Sequence, residues 1–325
     1  MIRYPQIKNL LREAYIMEKK MRLVTRSDFD GLVCAMLLRE LDMIDDIKFV
    51  HPKDVQDGKV DITENDITTN LPFDPRVGLA FDHHETELIR TDEDDFGEKF
   101  VCVAGAKSAA RVVYEFYGGS DRFKTVTEEI LDAVDKGDSA DFTVDEILNP
   151  TGWVLMDFLM DARTGLGRFH DFRISNYDLM MELISYCVDH SIDEVLELPD
   201  VKERVDLYFE QQELFKQQLK DNVKINGKVA VLDLRPLETI YAGNRFMIYA
   251  MWPEIEISVH VAWGFKKQNT AVMIGKSIVN KASKVDIGEL CFCYGGGGHA
   301  NAGTCQLDND IVDKELPGII EKLNE

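Results

Sequence analysis

Short apolar runs separated by loops dense in Asp, Gly and His set the texture of the first half of the chain. Arg22 to Thr25, Ile47 to Val50, Ile67 to Thr69 and Val77 to Phe81 are too brief for helices and rich in β-branched and aromatic residues, which predicts strands. Leu32 to Leu41 and Lys107 to Phe116 read as helices that return the chain across the sheet, and a further helix is predicted over residues 6 to 20. Alternation of the two element types implies an α/β fold with a mainly parallel sheet flanked by helices. From Val126 to about Leu196 the pattern is helical, broken at Pro150-Thr151-Gly152 and around Thr164-Gly165-Leu166-Gly167.

Val201 to Lys220 is rich in Glu, Gln and Lys, with Val201, Val205, Tyr208, Phe215 and Leu219 on one helical face and Leu207, Phe209 and Leu214 flanking it. This reads as a linker helix, although the flanking residues widen the stripe enough for a helix packed inside one domain. After Asn226-Gly227 the texture changes to strands: Val229 to Leu234, Ile255 to Val261 and Thr270 to Ile274. The expected division is a first domain over 1–199, a linker helix over 200–224 and a smaller α/β domain over 225–325. A length of 325 residues is comfortable for two domains that each bury a core.

The formal net charge of −22 disfavours clamping of long nucleic acid, which needs Lys and Arg to release counterions from phosphates. A small phosphorylated substrate or a short oligonucleotide fits better than a long duplex. The N-terminus lacks the apolar core of a signal peptide, and no run approaches the ~20 apolar residues that span a bilayer, so a cytoplasmic protein with no membrane partner is expected. The six cysteines are scattered and should be free thiols, with Cys34 a buried small apolar residue. An exposed helix or sheet edge in the first domain leaves room for a homodimer.

Two polar groups follow strands directly. Asp28 and Asp30 come after Arg22 to Thr25, and Asp82-His83-His84 after Val77 to Phe81, so both should emerge at carboxyl ends of strands, where open α/β sheets bind ligands. Carboxylates two apart on a strand-to-helix loop can converge on a cation, and imidazole suits Mn, Fe, Co or Zn better than Ca or Mg. Such an ion lowers the pKa of water from 15.7 to roughly 7 and offsets charge on a phosphoryl oxygen, which points to hydrolysis. Near the other end, Gly295 to Gly298 precede His299; glycines let backbone amides approach an anion closely, so the run reads as a phosphate nest. Gly275-Lys276-Ser277 is not a P-loop, since Thr270 stands where the upstream glycine is required. Arg245 is a weaker candidate for a phosphate contact, and Arg163, Arg168, His170 and Arg173 form a basic island whose local acids, Asp161 and Asp171, offer ion pairs.

Ser27-Asp28-Phe29-Asp30-Gly31, Phe81-Asp82-His83-His84-Glu85 and Gly295 to His299, in that order, resemble the DHH phosphoesterase superfamily with a C-terminal DHHA1 domain, over nearly the whole chain. The resemblance implies two adjacent metal sites, with Asp28, Asp30 and His83 as ligands, Asp82 orienting from behind, and His84 near the scissile phosphate. Asp28, His84 and His299 form the implied catalytic set. It further implies that the DHHA1 glycine run, His299, Lys276 and Ser277 bind substrate, with His299 facing the metal centre across a cleft. A fourth-motif carboxylate is expected in Ala133 to Asp138, where Asp135 is taken over Asp138. Val24 stands where the family has a His, and Asn70 where it has a bridging Asp, unless Asp66 or Asp74 takes that place. One site should therefore be weak or empty, with Asp30, His83 and Asp135 holding the main ion and Asn70 offering a carbonyl. Mn2+ is the expected cofactor, with Mg2+, Co2+ or Fe2+ as substitutes. The implied function is hydrolysis, by metal-activated water, of a phosphodiester or phosphomonoester in a small nucleotide, short oligonucleotide or polyphosphate. The alternative is a nucleotide-binding sensor of the same fold that has lost hydrolysis.

Overall fold

A computed structural model describes residues 20–84, 99–168 and 171–325; the helix expected over residues 6 to 20 and His170 lie outside them. The chain divides into two units, one made of 1–141, 151–162 and 169–205, the other of 142–150, 163–168 and 206–325.

The first unit is built on a five-stranded sheet, β1 (Met21–Thr25), β2 (Ile44–Phe49), β3 (Asp66–Thr69), β4 (Leu79–Asp82) and β5 (Phe100–Cys102), in the order β2-β1-β3-β4-β5. Every pairing is parallel, with Leu23 opposite both Ile47 and Ile67 and Phe81 opposite both Thr69 and Val101. A parallel sheet covered on both faces needs apolar residues on both, and Leu23, Val24, Ile67, Ala80 and Phe81 are all buried. Strand β5 was not expected from its pattern, because three residues are too few to show a period. Helix α1 (Phe29–Glu40) follows β1 with Asp28 as its N-cap, the carboxylate accepting from the Gly31 amide at 3.0 Å. It is buried from Phe29 to Leu38, its Cys34 included, which explains a run apolar on nearly every side. The short helix α2 (Pro52–Gln56) follows β2. Helix α3 (Ala109–Tyr117) starts two residues later than the pattern suggested, because Ser108 caps it by accepting from the Arg111 amide. Helix α4 (Glu128–Asp138) carries the candidate fourth motif.

The second unit carries a six-stranded mixed sheet in the order β10-β11-β9-β8-β7-β6, formed by β6 (Val223–Asn226), β7 (Val229–Asp233), β8 (Ile257–Trp263), β9 (Thr270–Lys276), β10 (Gly297–His299) and β11 (Ala302–Leu307). Only β7 and β8 pair in parallel. The core joins Val229, Val259, Val261, Val272 and Ile274 to Ile287 and Cys291 of one helix and Ile319 and Leu323 of another. Segment 142–150 belongs here because Asn244 donates its amide to the Ile147 carbonyl at 3.0 Å and the Phe142 and Phe246 rings lie 5.5 Å apart. The long helix Pro199–Asn222 contains the division between the units. Its Val201, Tyr208, Phe215 and Leu219 are buried, while Phe209 and Leu214 are exposed. No helix among the described residues is long and apolar enough to cross a membrane.

Candidate active site

Because β1, β3 and β4 run in parallel, their carboxyl ends carry Thr25, Thr69 and Asp82 to one edge of the sheet, and the residues that follow them form the candidate site. At the opposite end Arg22 binds Asp66 through Nε at 2.7 Å, and Asp74 is paired with Arg76, so neither carboxylate takes the place of Asn70. Asn70 itself follows β3 in the left-handed region, φ 54°, with both amide atoms buried and without a hydrogen-bond partner.

Gly31 makes the first loop tight enough to present two carboxylates. A Cβ there would sit 2.0 Å from the Arg26 carbonyl oxygen, so no other residue fits. Asp30, 2 % exposed, accepts from the Ala110 and Ala109 amides at 2.7 and 3.2 Å, at the N-terminus of α3. Burial, the charge of Asp138 and that of Asp28 still push its pKa up to about 7. His83 is fixed by Nδ1, which donates to the Ala106 carbonyl at 3.0 Å, so Nε2 is the nitrogen that would bind a cation once its proton is lost. That nitrogen lies 2.8 Å from Asp138 Oδ2 but off the line of a hydrogen bond. Burial alone would lower the His83 pKa; the close contact with Asp138 and the charges of Asp138 and Asp30 instead raise it to about 9. Asp138 is pulled below the ordinary carboxylate range, since the imidazolium outweighs the cost of burial. The ligand atoms of Asp30, His83 and Asp138 all lie within 4.8 Å of one another.

The expectation for the fourth motif is corrected on geometry. Asp135 faces away from this set: one oxygen accepts from the Ser108 hydroxyl at 2.7 Å and the other from Arg111 Nε at 2.8 Å. Asp138, one helical turn later, faces His83. Asp28 is also apart from the three, with one oxygen on the Gly31 amide and the other 2.9 Å from Arg26 Nε. Arg26 is the site residue that sequence reasoning missed; it lies beside the first motif, where its type carries no signature. Asp82 accepts from the His83 amide at 2.7 Å and from His84 Nδ1 at 2.8 Å on one oxygen. The donor set fits a divalent cation: an oriented imidazole nitrogen, one buried and one half-buried carboxylate, and an unsatisfied amide at the same sheet edge.

In the second unit the glycine run forms half of a hairpin rather than a loose loop, Gly298 pairing with Gly303 and His299 with Ala302. Gly296 and Gly298 are demanded by packing, since a Cβ would meet the Thr304 and Ala302 carbonyl oxygens at 2.2 and 2.3 Å. Gly295, φ 72°, and Gly297 border open space. His299 is exposed at the end of β10. Lys276 ends β9, whereas the Ser277 hydroxyl is buried and accepts from the Asn280 amide at 2.9 Å, a local turn contact. The Arg245 guanidinium stacks on Phe246 at 4.2 Å. Of the basic island, Arg173 is bound to Asp200 at 2.7 Å in the first unit, and Arg168 donates to the Ile240 carbonyl in the second.

No family model matches the chain, and no curated protein matches it. Among solved structures it is similar to the pGpG-specific phosphodiesterase PggH from Vibrio cholerae, at 55% identity over 94% of this chain and 99% of that one, with a TM-score of 0.81. The fold is also shared with a DHH domain from a protein described as belonging to a ribosomal-protein family, at 12% identity over 99% of this chain and 91% of that one, TM-score 0.59. The third is RecJ from Thermus thermophilus in complex with Mn2+, at 13% identity over 99% of this chain and 54% of that one, TM-score 0.50. The sequence relationship to the first of these, with the acidic and histidine motifs gathered at one sheet edge, leads to one conclusion: the chain belongs to the DHH/DHHA1 phosphoesterase superfamily, and it is a hydrolase.

Proposed function

We propose that this protein hydrolyses the phosphodiester of a short linear guanine dinucleotide of the pGpG type, giving two molecules of GMP, with a divalent cation held by Asp30, His83 and Asp138. The observation that carries the substrate is the 55% identity, over nearly the full length of both chains, to a pGpG-specific phosphodiesterase. The net charge of −22 agrees with a small substrate rather than a long strand. The mixed imidazole and carboxylate donors favour Mn2+ over Mg2+. When bound, such an ion polarises a phosphoryl oxygen and makes water acidic enough to attack near neutral pH.

The residues of the chain do the rest. The α3 amides hold Asp30 in place, and the Ala106 carbonyl fixes the ring of His83. Asp82 holds His84 by Nδ1, so that His84 binds a phosphate oxygen through Nε2. The second unit by itself offers groups that suit an anion: exposed His299, the amides around Gly295 and Gly297, and Lys276. The test is GMP release from pGpG with Mn2+, in the parent and in His83→Ala, beside short oligonucleotides and polyphosphate. Turnover of pGpG that His83→Ala abolishes supports the reading. Tight pGpG binding without turnover in the parent would favour a binding-only protein, and preferred hydrolysis of polyphosphate would move the substrate class.

A further inference from the structure

An arginine stands within the acidic edge of the first sheet. Arg26 leaves β1 immediately after its last residue, and its Nε lies 2.9 Å from Asp28 Oδ2, with the two side chains only 28% and 21% exposed. The other oxygen of Asp28 accepts from the Gly31 amide, so both oxygens of this carboxylate are engaged. Arg26 also lies within electrostatic reach of Asp138, Asp30 and Asp161. Among the described residues, two positions that the family resemblance gives to a second cation carry no charge: Val24 is fully buried hydrocarbon, and Asn70 is a neutral amide.

We propose that Arg26 takes the place of a second metal ion, holding Asp28 and supplying a fixed positive charge, so that the centre takes one divalent cation per chain. This rests on the cation reading given above. A guanidinium stays charged at any working pH and presents N–H donors to carboxylate or phosphate, but it cannot activate water. Arg26 is therefore a charge-supplying and positioning residue, while the activating role stays with the single ion at Asp30, His83 and Asp138.

The experiment is Mn2+ binding to metal-stripped protein by calorimetry and equilibrium dialysis, for the parent, Arg26→Lys and Arg26→Met, with thermal melting to confirm folding. The parent should bind one ion per chain, and Arg26→Lys should keep that stoichiometry with near-parent affinity. Arg26→Met, which removes a like charge and frees Asp28, should bind Mn2+ about tenfold tighter or more. A structural ion pair alone would predict unchanged or weaker binding in Arg26→Met, and that result would overturn the proposal. Two ions per parent chain would overturn it too, even if Arg26→Met failed to fold. Absence of any binding by the parent would instead overturn the cation reading on which it rests.

Discussion

Asp135 and Asp138 lie one turn apart on the same helix and should fail in opposite ways when truncated. In Asp135→Ala the fully buried Ser108 hydroxyl loses its acceptor, which costs about 1–3 kcal/mol for an unsatisfied buried donor. Arg111 keeps Glu128 and Asp132, each at 3.1 Å, and is 19% exposed, so its share is discounted to about 0.5 kcal/mol. The sum, about 1.5–3.5 kcal/mol, corresponds to a melting temperature lower by roughly 3–14 °C for a unit of this size. Ser108 caps the helix whose amides hold Asp30, yet its own contact with the Arg111 amide survives, so turnover at 25 °C should stay within about tenfold of the parent. Asp138→Ala removes the partner of His83 and also relieves Asp30 of a neighbouring like charge, so the metal-free protein should melt close to the parent. Its turnover should fall by about 100-fold or more, the scale of loss when groups holding a metal ligand are removed. Calorimetric melting and GMP release from pGpG, run on both variants, separate the two. An inactive Asp135→Ala that melts like the parent, or a fully active Asp138→Ala, would refute the assignment.

Gly31→Ala should lower the urea midpoint by the equivalent of about 3 kcal/mol or more, because the new methyl meets backbone, which cannot swing aside; a midpoint within error of the parent would contradict the loop geometry. Stability of the metal-free protein should fall with rising pH in two overlapping windows. Asp30 has its pKa raised from 3.8 to about 7, so the folded state loses stability between those values; His83 is raised from 6.5 to about 9, so its contribution is complete below 6.5 and lost by about 9. Denaturant midpoints at pH 5 and 9 check this, and His83→Gln should abolish the upper part of the slope. In the second unit, Tyr249→Phe removes a buried hydroxyl bonded to Ser258 at 2.7 Å and the Gly275 carbonyl at 3.0 Å, and should cost about 1–2 kcal/mol without changing Mn2+ affinity, read by urea titration and calorimetry.

The strand-and-helix order and the placing of Asp30 and His83 were legible because both depend on local pattern: an apolar run, then a polar loop at its carboxyl end. The neighbour of Asp135 was not. It is chosen by Arg111, which reaches it from another helix, and nothing in Ala133 to Asp138 records that. Arg26 escaped for a related reason, since an arginine in a loop means little until its acidic neighbours are in place. The glycine run was read by its freedom, whereas the hairpin uses two of the four glycines for close backbone contact.

The second unit gathers pieces from three places in the chain, and this bears on its synthesis. Phe142 and Ile147 leave the ribosome about 100 residues ahead of Asn244 and Phe246, on the order of 5–20 s at ordinary elongation rates. For that interval two side chains destined for burial stay without the partners that later cover them. A gene fragment beginning at residue 225 would omit them altogether and remove the Phe142 ring from its place beside Phe246. Expression trials should therefore keep residues 142 to 325 together.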